Sequence, residues 1–459
     1  MTKQFGLRAL SLLLLLSFGA GCFGGGTTSN IEEITLDYWR VYDEDDTFKD
    51  IIDAYEALHP NIVIHYRKLR SDEYEGELVR AIAEGKGPDM FSVHNTKIGE
   101  FESLMAPMPP SVNVAYLETK GTIRKETTLV ERVEPTLSEK ALKERFVDVV
   151  ASDVIRNYRP DPKLDPEKRI FGLPLSVDSL VLFANKDLLD AAGVAAAPVT
   201  WDDFQSAVRA ITVYNDQGGI SQSAAALGTS ANVERSSDIL SLLMLQNGTE
   251  MTDERGRVAF HTIPDGLPRE IFPGLDAARF LTDFANPIKD VYTWNDTFPN
   301  SFEAFANGQT AFFFGYSYHI PLLEAAAPRL DYSISKVPQI AGGKQVNFAN
   351  YWVESVSKSS KHQDYAWDFV QFATSQEQVV SYLEQAKKPT ALRGLINSQL
   401  NDEQIGPAVE QVLTAESWYK GSDADVAAAA LNAFTEEVLS GADPVEAIEK
   451  AADAVSETY

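Results

Sequence analysis

The chain has 459 residues, of which 44% are hydrophobic and 23% charged, a composition that excludes a disordered or collagen-like protein over most of its length. This length is enough for two or three domains. Asp and Glu number 67 against 40 Lys and Arg, and the net charge of −27 disfavours nucleic acid as the main partner and favours a monomer kept soluble by self-repulsion.

The amino terminus is predicted to be an export signal. Lys3 and Arg8 precede an apolar run over residues 10–18, and small residues then lead to Cys22, the only cysteine. This arrangement resembles a bacterial lipoprotein signal, which implies that Cys22 is lipidated and anchors the protein to a membrane on its extracytoplasmic side. A plain secretory peptide cut near Cys22 and an uncleaved anchor are the alternatives. Residues 23–31, rich in Gly, Thr and Ser, predict a flexible tether.

The part of the chain that follows alternates strand and helix patterns. Residues 34–39 predict a strand and residues 45–58 a helix, because apolar residues there recur every three or four positions. A second strand at 62–66, a second helix at 74–82 and a third strand at 90–93 follow. This alternation predicts a parallel sheet covered on both faces, with ligands binding beyond the carboxyl ends of its strands.

The remaining segments are less uniform. Residues 105–150 are irregular and are predicted to be an insertion, with helix-like stretches over 117–146. A long strand is predicted over 172–183 and a very apolar strand over 310–314. Beyond Tyr365 the pattern is almost wholly helical.

Several segments in a fixed order are similar to one known family. They include Ile52–Ile64, Leu78–Asp89, Gly172–Gly193, Phe305–Ala311 and Pro389–Arg393. With this set the chain resembles the extracellular solute-binding proteins of ABC importers, family 1, the sugar-binding lipoproteins that are similar to the maltose-binding protein. The resemblance implies an α/β fold of type II. In that fold two lobes, each a mainly parallel sheet flanked by helices, are joined by hinge strands and close on a ligand in the cleft.

The resemblance also implies a division of the chain and a set of partners. The expected segments are a signal peptide with its anchor cysteine at 1–22, a tether at 23–31, lobe I at 32–175 with an insertion at about 105–150, lobe II at 176–338, a return to lobe I at 339–388, and C-terminal helices at 389–459 that pack mainly on lobe II. The implied partners are a small-molecule ligand, expected to be a sugar and more narrowly an oligosaccharide, and the membrane subunits of an ABC permease. Neither a cofactor nor a metal is expected, and the protein is expected not to be an enzyme.

A sugar ligand requires aromatic side chains that stack on its ring faces and polar groups that bond its hydroxyls. The candidates follow predicted strands or stand where family members contact their ligands, and they are Trp39, Tyr42, Asp45, Asn95, Asp178, Trp294, Tyr316, Tyr318, Tyr351 and Trp352. Structural roles compete for some of them. Trp39 could pack in the core, Asp178 could bond backbone groups of the hinge, and Trp294 could cover a sheet edge.

Other functions stay open at this point. A secreted carbohydrate-active enzyme needs two carboxylates across a cleft, and acids are abundant in this chain. The same scaffold could also bind a solute that is not a sugar. The six histidines include no HExxH motif and the single cysteine excludes a CxxC pair, so the sequence gives no sign of a zinc or redox site.

Overall fold

The computed structural model describes residues 32–121, 126–161, 163–268 and 270–459. The predicted signal peptide, Cys22 and the tether lie outside the described residues. Over the four described ranges, none of the helices combines the length and the apolar character that crossing a bilayer requires.

The first part of the chain alternates strands and helices, and a hairpin and further short elements follow. In chain order its elements are β1 (Ile34–Val41), α1 (Asp45–Leu58), β2 (Ile62–Leu69), α2 (Ser71–Ala83), β3 (Met90–His94), α3 (Ile98–Phe101), β4 (Met105–Ala106), β5 (Ser111–Lys120), β6 (Glu126–Pro135), α4 (Glu139–Arg145), α5 (Asp148–Val154), β7 (Ile155–Tyr158) and β8 (Glu167–Ile170).

The second part contains most of the helices. In chain order its elements are β9 (Asp178–Ser179), β10 (Val181–Asn185), α6 (Lys186–Ala191), α7 (Trp201–Ile211), β11 (Val213–Tyr214), β12 (Ile220–Ala225), α8 (Ser236–Gln246), α9 (Pro273–Asp283), α10 (Ser301–Ala306), β13 (Thr310–Gly315), α11 (His319–Ala326), β14 (Tyr332–Lys336), β15 (Asn347–Asn350), β16 (Trp352–Ser357), α12 (Gln363–Ala373), α13 (Gln376–Ala386), α14 (Ile396–Gln399), α15 (Gly406–Gln411), β17 (Ala415–Glu416), α16 (Ala424–Leu439) and α17 (Pro444–Ser456).

Two five-stranded sheets form the centres of the two lobes. The lobe I sheet has the order β2-β1-β3-β16-β4, and the lobe II sheet has the order β11-β12-β13-β10-β14. In lobe I, β1 runs parallel to β2 and β3, as the alternation of strands and helices predicts. In lobe II, β12 runs parallel to β13.

The remaining pairs in the two sheets are antiparallel, so each sheet is mixed, with four strands of the lobe I sheet and three of the lobe II sheet running in one direction. The cause is that one strand of each sheet comes directly from the connection between the lobes. β16 starts beside the carboxyl end of β3, where Trp352 lies opposite His94. β10 likewise starts beside the carboxyl end of β13, where Val181 lies opposite Gly315. A strand that enters at the carboxyl edge of its neighbour must run antiparallel to it.

Apolar periodicity explains how these elements pack. Phe48, Ile51 and Tyr55 lie on one face of α1 and are buried against the lobe I sheet. Every residue of β13 is buried, as expected for a continuous apolar strand that is covered on both faces. The apolar residues of α16 and α17 join the core of lobe II.

A third, small sheet connects the lobes, and we call it the hinge sheet. It has the order β17-β15-β9 and includes the antiparallel partners Asn350 and Asp178. β9 leads into the lobe II sheet, β15 leads into the lobe I sheet, and β17 leads into α16. Within the described ranges, three connections therefore cross between the lobes, and each passes beside the cleft described below.

The region predicted to be an insertion contains a hairpin of β5 and β6, paired from Ser111 with Pro135 to Lys120 with Glu126. The expectation of helix-like stretches over 117–146 is therefore wrong for the end of β5 and for β6, and it agrees with α4. The β-branched residues Thr127, Thr128, Val130 and Val133 favour a strand. The hairpin is attached to α12, because the Asp368 carboxylate accepts a hydrogen bond from the Tyr116 hydroxyl at 3.0 Å.

Candidate functional site

A cavity of about 1060 Å³ lies between the two lobes. Its walls come from the segments that follow β1 and β3 in lobe I, from those that follow β12 and β13 in lobe II, and from the hinge sheet. This placement agrees with the expectation that ligands bind beyond the carboxyl ends of parallel strands. The volume is at the upper end of the range for small-molecule sites, roughly 300–1,000 Å³.

Five of the predicted site residues line this cavity, namely Tyr42, Asp178, Tyr318, Tyr351 and Trp352. Tyr42 and Tyr318 are 57% and 40% exposed, so broad ring surfaces are available to a ligand. Tyr351 is almost buried, and its hydroxyl donates a hydrogen bond to Asp153 at 2.6 Å. Tyr351 therefore contributes an edge to the wall rather than a stacking surface.

Trp39 and Asp45 follow the first strand as predicted, but the structure does not bring them to the cavity. Side chains alternate along β1, so Trp39 points away from the face of Arg40, which does line the cavity. The guanidinium of Arg67 covers the Trp39 ring at 4.6 Å. Asp45 is exposed at the start of α1, where a negative charge is favourable to the helix dipole.

Trp294 belongs to the core of lobe II. Its side chain is fully buried, its ring stacks on Phe298 at 4.5 Å, and its indole N–H donates to the side-chain oxygen of Asn232 at 3.0 Å. The polar loop that predicted a ligand platform is folded back over this ring. Trp294 therefore has a structural role in the core and does not contact a ligand in the cleft.

Asn95 and Tyr316 lie one layer behind the cavity wall. The Asn95 amide donates to Asp153 at 3.3 Å, and the Tyr316 hydroxyl donates to Asp238 at 2.7 Å. The Tyr316 ring stacks on Tyr318 with ring centres 5.9 Å apart. Both residues support cavity-lining neighbours without lining the cavity themselves.

Aromatic side chains of both lobes face the cleft. On the lobe I side the rings of Tyr42 and Trp352 meet edge to face at 6.0 Å. Tyr42 has a φ of 74°, an unfavourable backbone conformation for a bulky residue, and such strain concentrates at functional sites. Tyr318 supplies the surface on the lobe II side. The cleft therefore offers flat apolar faces from opposite directions.

The Asp178 carboxylate stands at the hinge between these faces. Its Oδ1 accepts the Ser179 N–H at 2.8 Å, and its Oδ2 accepts the N–H and the hydroxyl of Ser317 at 2.8 Å and 2.6 Å. Burial raises the pKa of Asp178 to about 6, and the hydrogen bonds from Ser317 and Ser179 act in the opposite direction. Two of the three hydrogen bonds that this carboxylate accepts therefore come from the turn that carries Tyr318.

Four cations that line the cavity are held by carboxylates of the protein. The pairs are Arg40 with Asp43 at 3.0 Å and with Glu354 at 2.9 Å, Lys97 with Glu75 at 2.6 Å and with Asp425 at 2.9 Å, Arg235 with Asp238 at 2.6 Å, and Lys388 with Asp43 at 2.7 Å. Lys387, also in the lining, is exposed. The four paired cations leave little net positive charge for an anionic ligand.

Sequence reasoning missed Arg235, Asp238 and Trp418, all of which line the cavity. Arg235 and Asp238 come after β12, a strand that the small and polar residues of Ile-Ser-Gln-Ser-Ala-Ala do not reveal. Trp418 follows β17, which has only two residues. The one sequence signal that could have indicated Arg235 is its position in a pair of neighbouring charged residues, directly before the apolar pattern of α8.

Comparisons with known proteins identify the same architecture. Residues 50–400 match the family model described as bacterial extracellular solute-binding protein. A cyclic α-maltosyl-1,6-maltose binding protein from Arthrobacter globiformis is similar in structure, with a TM-score of 0.70, 16% identity and coverage of 93% of this chain and 98% of that chain.

Two further solved structures resemble this chain over nearly their whole length. A maltose-binding periplasmic protein from Listeria monocytogenes, in complex with maltose, has a TM-score of 0.66 and 17% identity, covering 93% of this chain and 97% of that chain. An ABC transporter solute-binding protein from Thermotoga lettingae, bound with α-D-tagatose, has a TM-score of 0.62 and 21% identity, covering 92% and 99%. These likenesses confirm the predicted two-lobed fold of type II. The family match covers most of the chain, and the protein belongs to the bacterial extracellular solute-binding proteins.

Proposed function

We propose that the protein captures an uncharged carbohydrate, and more narrowly an oligosaccharide, in the cleft between its lobes and delivers it to the membrane subunits of an ABC importer. The observation that carries the proposal is the pair of aromatic surfaces, Tyr42 with Trp352 on one side and Tyr318 on the other. Sugar rings expose flat apolar faces, so aromatic rings on both sides of a cleft suit them.

The charge distribution of the cleft supports an uncharged ligand. A phosphorylated or carboxylated solute would have to compete with protein carboxylates for four of the lining cations, Arg40, Lys97, Arg235 and Lys388, while Lys387 is exposed to solvent. Carboxylates and the remaining N–H groups of these cations still offer hydrogen bonds to hydroxyls. Structural relatives bound to maltose and to α-D-tagatose are consistent with this ligand class.

The carboxylates of the cleft favour binding over glycoside hydrolysis. Each lining carboxylate in the described part of the chain has a side-chain partner: Asp43 with Lys388, Glu75 and Asp425 with Lys97, Asp178 with Ser317, Asp238 with Arg235, and Glu324 with Gln404. A retaining or inverting glycosidase needs one acid and one base or nucleophile facing the bond to be cleaved. We therefore propose that no bond is broken and that binding works by stabilising the closed arrangement of the lobes.

Calorimetric titration with a panel of sugars tests the ligand class. The panel would contain tagatose, maltose, maltotriose and maltotetraose, with glycerol 3-phosphate and spermidine as charged comparisons. We expect at least one neutral sugar to bind and the charged solutes to give no heat of binding. No response to any sugar would refute the carbohydrate assignment. Product analysis of the same mixtures would reveal glycoside cleavage if the protein were an enzyme.

We further propose that Cys22 carries a lipid and holds the protein at the extracytoplasmic face of a membrane. The support is the signal pattern of Lys3, Arg8 and the apolar run that ends before Cys22. Expression with labelled palmitate in a bacterial host should label the wild-type chain and leave Cys22→Ser unlabelled. Equal labelling of the two chains, or none of either, would contradict the anchor.

A further inference from the structure

Asn350 of the hinge sheet touches side chains of both lobes. Its Oδ1 lies 2.6 Å from Nε2 of His94, at the end of β3 in lobe I. The same oxygen lies 3.4 Å from Nη2 of Arg235, beside α8 in lobe II. One acceptor atom on a connecting strand thus joins the two walls of the cleft.

The hydrogen-bonding groups around Asn350 determine which ring nitrogen of His94 carries the proton. Arg235 can only donate, so the Asn350 atom between the two side chains is the carbonyl oxygen, and His94 must donate its Nε2–H to it. Nδ1 of His94 is then an acceptor, and it lies 2.8 Å from the Thr96 hydroxyl. Burial and the charge of Arg235 lower the pKa of His94 to about 4, which agrees with a neutral ring at neutral pH.

Arg235 is held in a defined position by lobe II. Its backbone has a φ of 57°, its Nε donates to Asp238 at 2.7 Å, and its guanidinium lies over the Tyr316 ring at 5.4 Å. A left-handed conformation at a non-glycine residue persists only when the surroundings impose it. Nε and Nη2 are used by Asp238 and Asn350, and Arg235 itself lines the cavity. The two N–H bonds of Nη1 are therefore the donors that a ligand can use.

We propose that Asn350 is a positioning residue that ties His94 of lobe I to Arg235 of lobe II, and that Arg235, placed in this way, is a determinant of ligand specificity. Opening of the lobes separates the two walls and breaks the bond from Arg235, because the bond from His94 is the shorter one. The closed arrangement then has a contact that the open one lacks, before any ligand is bound. The specificity role rests on the proposed function, whereas the link between the lobes does not.

The link is tested without ligand. Dyes on cysteines at the exposed positions Glu84 in lobe I and Ile288 in lobe II, in a chain with Cys22→Ser, report the distance between the lobes by energy transfer. Asn350→Ala removes the shared acceptor and Asn350→Asp keeps it. Asn347→Ala is the matched control, because Asn347 lies on the same strand and its side chain bonds Thr414, Gln411 and Gln339 instead of His94 and Arg235.

We expect Asn350→Ala to lower the transfer efficiency of the unliganded protein and Asn350→Asp to preserve it. Arg235→Met should produce the same decrease, and adding it to Asn350→Ala should produce no more. Asn347→Ala should leave the efficiency unchanged even if it lowers the melting temperature. Wild-type efficiency in Asn350→Ala, or a decrease that Asn347→Ala shares, would overturn the link.

The specificity role is tested with maltotriose as the probe. Arg235→Lys keeps the charge but loses the fork of donors, and we expect it to weaken binding at least tenfold. Unchanged affinity in Arg235→Lys would overturn the role of Arg235 in specificity. If maltotriose and every other sugar fail to bind the wild type, the proposed function fails while the energy-transfer result still decides the link.

Discussion

Asp178 and Ser317 are joined by two hydrogen bonds, from the Ser317 N–H at 2.8 Å and from its hydroxyl at 2.6 Å, both to Oδ2 of the carboxylate. Asp178 belongs to the hinge sheet and Ser317 to the turn after β13. The turn also carries Tyr318, so the hinge carboxylate determines how this ring is presented to the cleft.

The burial of Asp178 predicts a pH dependence of stability. Burial raises the pKa of Asp178 from 3.8 to about 6, so between about pH 4 and pH 6 the native protein binds more protons at this site than the unfolded chain does. The contribution of Asp178 to the free energy of unfolding therefore falls as the pH rises through that window. Relative to Asp178→Asn, the wild type should lose about 1–3 kcal/mol between pH 4 and pH 7 in urea denaturation.

The control for that experiment is Asp45→Asn, because Asp45 is exposed at the start of α1. The difference between the wild type and this variant gives the effect of removing one surface carboxylate over the same range. A constant difference for Asp178→Asn would contradict the raised pKa of the hinge carboxylate. His94 is present in all three proteins, so its own titration cancels.

The aromatic surfaces predict large losses of affinity. Trp352→Ala or Tyr318→Ala should weaken sugar binding roughly 10- to 100-fold, because each substitution removes one face of the cleft. Trp294→Phe is the matched control, since Trp294 is buried in the lobe II core. It should lower the melting temperature and leave the affinity of the folded protein unchanged. Wild-type affinity in both cleft variants would show that the ligand lies elsewhere.

Lys97 and Asp425 form an ion pair at 2.9 Å between the loop after β3 and the start of α16. Asp425 is 81% exposed, so the pair contributes only about 0.2–1 kcal/mol. Asp425→Asn should therefore reduce the closed population and the ligand affinity by less than about fivefold, and 1 M salt should remove the difference. Glu437→Gln breaks a pair within the C-terminal helices and should change neither quantity. If Glu437→Gln lowers the affinity and Asp425→Asn does not, Asp425 does not act between the lobes.

Arg40 and Glu354 form a buried ion pair at 2.9 Å beneath the cleft. Glu354 also accepts hydrogen bonds from Tyr38 and Ser92, so it cannot turn to solvent when its cation is removed. Arg40→Met should lower the free energy of unfolding by about 3–5 kcal/mol, and a second substitution, Glu354→Gln, should restore part of it. Arg70→Met breaks an exposed pair with Asp72 and should leave the free energy of unfolding almost unchanged. Chemical denaturation measures the free energy of unfolding of the wild type and of these three variants. If the double variant recovers no stability, the loss in Arg40→Met does not come from the unpaired charge of Glu354.

The fold was predictable where periodicity is strong. The alternation of strand and helix up to β3 and the apolar run of β13 are visible in the sequence, and the ordered motifs supplied the two-lobed arrangement. β12 and β6 were not recognised, because a strand of small residues and a strand with many charged residues both lack an apolar signature. β12 pairs with β13, which lies far away in the chain, whereas β6 pairs with the preceding strand β5.

The site was predictable only in part, for a geometric reason. Residues such as Tyr42 and Trp352 follow or begin strands at the edge of the cleft, and strand position alone places them. Trp294 and Tyr316 stand in similar loops, but the direction of a side chain depends on how its loop folds back, as the stacking on Phe298 shows for Trp294. Arg235 was missed because the strand before it was missed.

The position of β16 in the lobe I sheet also determines the order of assembly. Ser92 and Glu354, bonded side by side in neighbouring strands, are 262 positions apart, and the whole of the lobe II sheet is encoded between them. A growing chain cannot complete the first half of the molecule until the second has been synthesised. Folding that waits for such distant partners is slow, so a nascent polypeptide of this kind completes its first lobe later than one built from local contacts.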